Sequence, residues 1–190
     1  MSPPNPDREL PGWTAPAAPE RVTLTGRWCR VEPLDAERHA ADLYEANAHD
    51  REGAMWQYLA YGPFPSAATY RDWVEQKQAS ADPLFFALVD AGAGRATGVA
   101  SYLRIDPPNG VIEVGHLAYS PRLQRTPAAT EAMFLLMRHA FELGYRRYEW
   151  KCNASNLKSR SAATRLGFTF EGIFRQHMVY KGRNRDTAWY

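Results

Sequence analysis

The most informative segment of the chain is VIEVGHLAYSPRLQRTPAAT, residues 111–130. Its first part, Val111 to Tyr119, is mostly apolar and predicts a buried strand. A short loop follows, and Pro127 then marks the first turn of a helix, where its missing N–H costs nothing. A helix N-terminus carries unpaired N–H groups and a partial positive charge, and the small residues behind Pro127 would let a phosphate approach. The segment is therefore a candidate phosphate cradle, although many such junctions bind no ligand.

The elements on either side of this segment predict one α/β domain with a mixed sheet. Upstream, the pattern predicts a strand over 22–31 interrupted by Gly26, helices behind the N-cap candidates Asp35 and Ser66, and strands over 84–89 and 97–105. Downstream it predicts a helix over 128–143, a strand over 145–152, a helix over 156–166, and two last strands, 168–180 and 186–190, joined by a basic turn at 181–185.

The N-terminal segment differs in composition from the remainder of the chain. Residues 1–20 contain six of the fourteen prolines, which excludes helix or sheet interior and predicts an extended tail. Trp13 could pin this tail to the domain. The sequence thus predicts a Pro-rich tail over 1–20 and one domain over 21–190.

Composition excludes several classes of function. The chain has 190 residues, a net charge of +2 and no apolar run long enough for a membrane span, so we expect neither a nucleic-acid protein nor a membrane protein. Cys29 and Cys152 lie far apart, and the histidines show no metal-binding spacing. We therefore expect no metal and a cytoplasmic location.

The charges are unevenly distributed along the chain. Residues 138–186 contain 11 basic and 4 acidic side chains. This excess suits a polyanionic small ligand or an acidic partner, but it is equally compatible with a solvated basic surface.

Several motifs resemble one known family. Gln124-x-x-Pro127-x-Ala129 is similar to the Q/R-x-x-G-x-G/A loop of the GNAT N-acetyltransferases. The remaining matches are Glu113-Val114-Gly115, Thr130-Glu131-Ala132, Asn156-x-x-Ser159 and Leu166-Gly167-Phe168. Together they cover roughly residues 23–190, in the family's order, and resemble most the branch of ribosomal-protein N-terminal acetyltransferases.

The resemblance implies a fold and a cosubstrate. The fold would be a GNAT-like α/β fold: a mixed, mostly antiparallel sheet with helices on both faces and a splayed central strand pair. Acetyl-CoA would bind in that splay as cosubstrate. Its pantetheine would pair with the backbone of Leu117 and Tyr119 and contact Asn156 and Ser159, while an amide near Leu117 or Ala118 would polarise the thioester. The loop would hold the pyrophosphate through Gln124, Arg125, Thr126, Pro127, Ala128, Ala129 and Thr130.

The chain also departs from the family pattern. Pro127 replaces the first glycine of the loop and removes one backbone donor. Ala163 stands where many members carry a tyrosine thought to protonate the departing thiolate, so Ser159 or a water would have to serve as the acid. Relatives commonly continue for tens of residues beyond the last strand, which predicts that the chain is cut short at its C-terminus.

Some residues admit more than one interpretation. Glu113, in an otherwise apolar strand, is either paired with an arginine or is the general base. His116 is a second possible proton carrier, and more often such a histidine is simply packed. Asn156 and Ser159 are also good helix caps. The aromatic loop 55–65 either fills the core or forms the acceptor-side wall through Trp56, Tyr58, Tyr61 and Phe64.

These observations predict an acetyl-CoA-dependent N-acetyltransferase. It would transfer acetyl by direct attack of the primary amine of a small molecule or amino acid. Two alternatives remain open, namely a protein N-terminal acetyltransferase and a GNAT-like domain that binds CoA without turnover. We expect a monomer or homodimer.

Overall fold

A computed structural model describes residues 9–190, which contain eight strands and four α-helices. Short 3-10 turns lie at Ala54–Trp56 and Pro107–Asn109. In chain order the elements are β1 Leu24–Thr25, β2 Cys29–Pro33, α1 Ala36–Asn47, α2 Ala67–Gln78, β3 Leu84–Asp90, β4 Ala96–Asp106, β5 Val111–Tyr119, α3 Pro127–Glu142, β6 Arg147–Asn153, α4 Leu157–Arg165, β7 Gly172–Tyr180 and β8 Arg183–Trp189.

The strands form one sheet in the order β1-β2-β3-β4-β5-β6-β8-β7. Only β5 and β6 are parallel; every other neighbouring pair is antiparallel. The predicted fold class, a mixed and mostly antiparallel sheet, is confirmed.

Helices cover both faces of the sheet because the central strands are apolar on both sides. Along β3, Leu84, Phe86 and Leu88 point into the core beneath α3 and α4. The alternate residues Phe85, Ala87 and Val89 point into a second core beneath α1 and α2.

The parallel strands β5 and β6 separate part-way along their length. They pair from Val111 to Val114 against Arg147 to Trp150, and no further pairing between them follows in the described residues. β6 continues instead beside β8. On the other side of β5 the register to β4 shifts between Val99 and Ser101, and His116 there has a φ of 52°. This bulge bends β5 and leaves an open gap between the two strands, the predicted splay.

Three predicted boundaries were wrong. The strand expected to begin at residue 168 begins at Gly172. The strand expected over 22–31 is a hairpin, β1 and β2, whose turn is held by the Glu131 carboxylate on α3; Glu131 accepts hydrogen bonds from the amides of Arg27, Trp28 and Cys29. The basic turn expected at 181–185 is only Lys181 and Gly182, both at positive φ. Such a two-residue turn fits the twist of a hairpin, so Arg183 to Arg185 belong to β8.

Residues 9–20 contain no helix or strand and lie against the domain. Trp13 packs beside Gly110 and Pro16 beside Gly144, and the Tyr145 hydroxyl donates to the carbonyl of Ala17 at 3.3 Å. Residues 1–8 of the predicted tail lie outside the described residues.

Candidate active site

The gap between β5 and β6 exposes backbone groups of β5. Ser120 N–H donates to the Thr97 carbonyl at 3.2 Å, and Ala118 lies opposite Val99 two residues along the same ladder. Hydrogen-bonded pairs alternate in an antiparallel ladder, so the Ala118 amide also faces β4. The amides of Leu117 and Tyr119 therefore face the gap. Of the two amides predicted to polarise a thioester, Leu117 is the one the ladder leaves free.

The loop before α3 presents a small set of unpaired amides. Thr126 caps the helix: its hydroxyl accepts from the Ala129 amide at 3.2 Å and donates to the Leu123 carbonyl at 2.7 Å. The Ala129 amide is therefore already engaged. Within the described residues the amides of Arg125, Thr126 and Ala128 have no protein partner. The cradle is smaller than predicted.

The side chains of this loop fold back onto the protein. Gln124 Nε2 donates to the Tyr119 carbonyl at 2.8 Å. This hydrogen bond occupies a carbonyl at the end of β5, beside the gap. The Thr130 hydroxyl accepts from Arg165 at 3.1 Å. Arg125 has a φ of 61°, and this left-handed turn directs the chain into Pro127 and α3.

The start of α4 forms the other wall of the gap. Asn156 is its N-cap, with Oδ1 accepting from the Ser159 amide at 3.1 Å, so the capping interpretation holds and the Asn156 Nδ2 group remains available. The Ser159 hydroxyl accepts from Trp150 Nε1 at 3.0 Å. Ala163 is fully buried.

Glu113 is buried and paired with two cations. Its Oε2 lies 2.7 Å from Arg104 Nη1 and 2.9 Å from Lys151 Nζ. Burial raises the pKa of Glu113, and the two cations oppose that rise without cancelling it. Oε1 has no protein partner within the described residues and lies close to Gly115, where the Leu103 side chain fills the adjoining space. Both predicted interpretations of Glu113 are therefore compatible with the geometry.

His116 lies on the bulge, between the ring of Tyr61 at 5.7 Å and that of Phe85 at 5.1 Å. Burial lowers its pKa to about 4, with further contributions from Lys77 and Arg104. The imidazole is therefore neutral at pH 7 and a weak base.

The aromatic loop divides into core and wall. Trp56 is 5% exposed, and Phe64 packs edge-on against both Trp56 and Tyr70 in the second core. Tyr61 also packs against this core, on Trp56, Phe64 and Trp73, whereas Tyr58 is bound to the loop that precedes α4. The Tyr58 hydroxyl donates to the Ser155 carbonyl at 3.2 Å, and Tyr61 reaches His116.

Sequence analysis missed several residues on this face of the sheet. Lys151 bridges Glu113 and Glu149, and its Nζ lies 3.8 Å from the Trp189 ring centre. Strand alternation on β6 could have placed Lys151 and Glu149 on one face. The pairing of β8 beside β6, which brings Trp189 there, has no local signal in the sequence.

Comparison with known proteins agrees with this geometry. Residues 30–169 match the family model described as Acetyltransferase (GNAT) domain. The chain belongs to the GNAT acetyltransferase family. It is therefore an acetyltransferase by family, and the predicted resemblance is confirmed.

Two solved structures and one curated protein are similar to this GNAT chain. A GCN5-related N-acetyltransferase from Brucella melitensis is 49% identical with a TM-score of 0.92, covering 95% of this chain and 82% of that one. A probable acetyltransferase of the GNAT family from Chromobacterium violaceum is 40% identical with a TM-score of 0.88, covering 100% and 93%. YdaF from Bacillus subtilis (strain 168), whose name describes it as a ribosomal N-acetyltransferase, is 28% identical over 166 residues. The match covers 84% of this chain and 86% of YdaF.

Two kinds of feature are absent from residues 9–190. No group of three or more His, Cys, Asp or Glu side chains there is arranged to hold a metal ion. No helix in that range has the length and apolar character to cross a bilayer.

Proposed function

We propose that this GNAT acetyltransferase uses acetyl-CoA to acetylate the primary amine of a small molecule or amino acid by direct attack. The observation that carries the proposal is the gap between β5 and β6. It exposes the amides of Leu117 and Tyr119 and continues to the unpaired amides at the N-terminus of α3.

The residues around the gap fit acetyl-CoA. Leu117 and Tyr119 would pair with the pantetheine as a neighbouring strand does, and the Asn156 Nδ2 group would donate to it. The amides of Arg125, Thr126 and Ala128 would bind the pyrophosphate, helped by the helix dipole. Bound there, acetyl-CoA supplies the acetyl group as a thioester.

Glu113 is the proposed general base. An alkylamine with a pKa near ~10 is almost fully protonated at pH 7, so supplying its neutral form costs about 4 kcal/mol. Oε1 would take that proton through a water, while Arg104 and Lys151 keep the carboxylate ionised on Oε2. The Leu117 amide would stabilise the negative charge that develops on the thioester oxygen.

Ser159 is the proposed proton donor to the leaving thiolate. Its hydroxyl oxygen already accepts from Trp150, so its own hydrogen is directed elsewhere. A thiol is a fairly weak acid, and Ser159 or a water can return its proton without a tyrosine at position 163.

The closed acceptor side favours a small acceptor. Lys181 Nζ donates to the Trp56 carbonyl at 3.1 Å, which ties the β7–β8 hairpin to the aromatic loop. Tyr58 ties the same loop to Ser155. These bridges restrict the space in which an acceptor can lie.

A second candidate is acetylation of a protein N-terminus, favoured by the similarity to YdaF. That acceptor would need a groove long enough for an extended peptide. The two bridges across the aromatic loop argue against such a groove.

The reaction is proposed for the cytoplasm. Cys29 and Cys152 are both buried and unbridged, as is usual for a reducing compartment.

Release of CoA thiol, followed with a thiol reagent, tests the proposal. The panel would contain amines, amino acids and N-terminal peptides, each with acetyl-, propionyl- and succinyl-CoA. We expect fastest release with acetyl-CoA and a small amine. Faster release with peptides would favour the second candidate, and binding without release would identify a CoA-binding domain without turnover.

A further inference from the structure

Several buried hydrogen-bond donors near the gap have no partner within the described residues. They include the hydroxyls of Tyr61 and Tyr180, the Nε of Arg185 and the indole N–H groups of Trp73 and Trp189. We call Tyr61, Tyr180 and Arg185 the donor cluster. A buried donor left unpaired is destabilising, and more so when it is charged, so such groups seldom accumulate without a use.

The donor cluster lies on the same side of the sheet as Glu113. Cross-strand partners share a face, and β8 places Trp189 opposite Lys151 and Thr187 opposite Asn153. Arg185 follows Thr187 on that face because side chains alternate along a strand. Lys151, which binds Glu113, fixes which face this is.

Contacts join the donor cluster to the bulge of β5. The guanidinium carbon of Arg185 lies 5.8 Å from the ring centre of Tyr180. Tyr61 stacks on His116 at the point where β5 leaves β4. Burial raises the pKa of Tyr61, and Tyr70 and Tyr180 add to that rise, so its hydroxyl stays protonated at neutral pH.

Arg185 differs in its charge partners from the two cations beside Glu113. Arg104 pairs with Glu113, and Lys151 pairs with both Glu113 and Glu149. Arg185 has no carboxylate within salt-bridge distance among the described residues, although its Nε is buried. A guanidinium beside two phenol donors suits an oxyanion, which can accept from all three.

We propose that the acceptor is an amine that also carries an anionic group, a carboxylate or a phosphate, which the donor cluster binds. This inference rests on the proposed function. The anionic group would anchor the acceptor at Arg185, Tyr180 and Tyr61, while its amine reaches the gap beside Glu113 and His116.

The test compares matched amines by kcat/KM, each corrected for its neutral fraction. One pair is glycine and glycinamide, and the other is phosphoethanolamine and ethanolamine. We expect the acidic member of at least one pair to be preferred by about 10-fold or more, and the preferred pair identifies carboxylate or phosphate. Arg185→Gln should abolish the preference, mainly by raising KM for the acidic member. Arg185→Lys should restore part of it.

Two further variants keep the test independent of folding defects. Tyr180→Phe removes only the hydroxyl and should lower the preference without loss of Tm. Arg175→Gln removes an equal charge from an exposed position on β7, on the other face from Thr187 and Arg185, and should leave the preference intact. Equal kcat/KM for acidic and neutral members, or a peptide preferred over both, would overturn the inference while leaving acetyl transfer in place. Absence of thiol release with every acceptor would overturn the proposed function and this inference with it.

Discussion

Glu113 commits one carboxylate oxygen to Arg104 and Lys151 and leaves the other unpaired. Burial raises the pKa of this carboxyl, and the two cations favour its ionised form and oppose that rise. The side chain therefore forms an ion pair through one oxygen and keeps the other oxygen without a partner. The sequence alone could not decide between an ion-pair role and a catalytic role for Glu113.

Glu113→Gln keeps the size of the side chain but removes the base. We expect kcat/KM to fall by about 10²-fold, with partial recovery at higher pH, where more of the amine is neutral. Acetyl-CoA affinity should barely change. Glu149→Gln is the matched control, since Glu149 also pairs with Lys151 but lies away from the open part of the gap. Unaltered kcat/KM in a folded Glu113→Gln enzyme would move the role of base to His116.

His116 makes stability depend on pH. Its pKa is about 4 in the folded protein and about 6.5 when unfolded, so only the unfolded state binds the proton between these values. The stabilisation is present above pH 6.5 and is lost as pH falls toward 4. Asn tolerates the positive φ at this position. Between pH 7 and pH 5 the free energy of unfolding of His116→Asn should therefore fall by about 2 kcal/mol less than that of the wild type. Urea unfolding at both pH values measures it, and an identical pH dependence in His116→Asn would contradict this assignment.

At the scale of elements, the two helices that border the gap both begin with capping side chains, Thr126 on α3 and Asn156 on α4. Each cap consumes a side-chain oxygen and one amide. What remains for a ligand is the amides of Arg125, Thr126 and Ala128 and the Nδ2 group of Asn156. Local sequence identified the Asn156 cap but not the Thr126 cap, and it overstated the free amides, because a cap and a phosphate compete for the same N–H groups.

Variants of Asn156 separate capping from binding. Asn156→Ala should cost about 1 kcal/mol of stability by loss of the cap. Asn156→Ser keeps a capping oxygen but lacks the Nδ2 donor, so we expect near-normal Tm and a raised KM for acetyl-CoA. Normal kinetics in the serine variant would mean that Asn156 serves only as a cap. Thermal unfolding and steady-state kinetics on both proteins give the comparison.

At the scale of the whole molecule, sequence analysis gave the correct fold class, the splay and most element bounds, because these depend on local periodicity, caps and family motifs. It missed features that depend on distant residues. The β1–β2 turn exists because Glu131, far along the chain, binds its amides. The donor cluster exists because β8 lies between β6 and β7, which brings Arg185 and Tyr180 to the side of Glu113.

The proposal for the whole molecule is that acetyl-CoA lies in the gap with its pyrophosphate at the N-terminus of α3. Thr126→Asp tests it, because aspartate keeps a good N-cap while adding a negative charge where the phosphates would lie. Thr126→Ser is the control. By calorimetric titration with acetyl-CoA we expect near-native affinity for Thr126→Ser and affinity at least about 10-fold weaker for Thr126→Asp, with wild-type affinity falling as salt rises. Native affinity in a folded Thr126→Asp protein would contradict the claim.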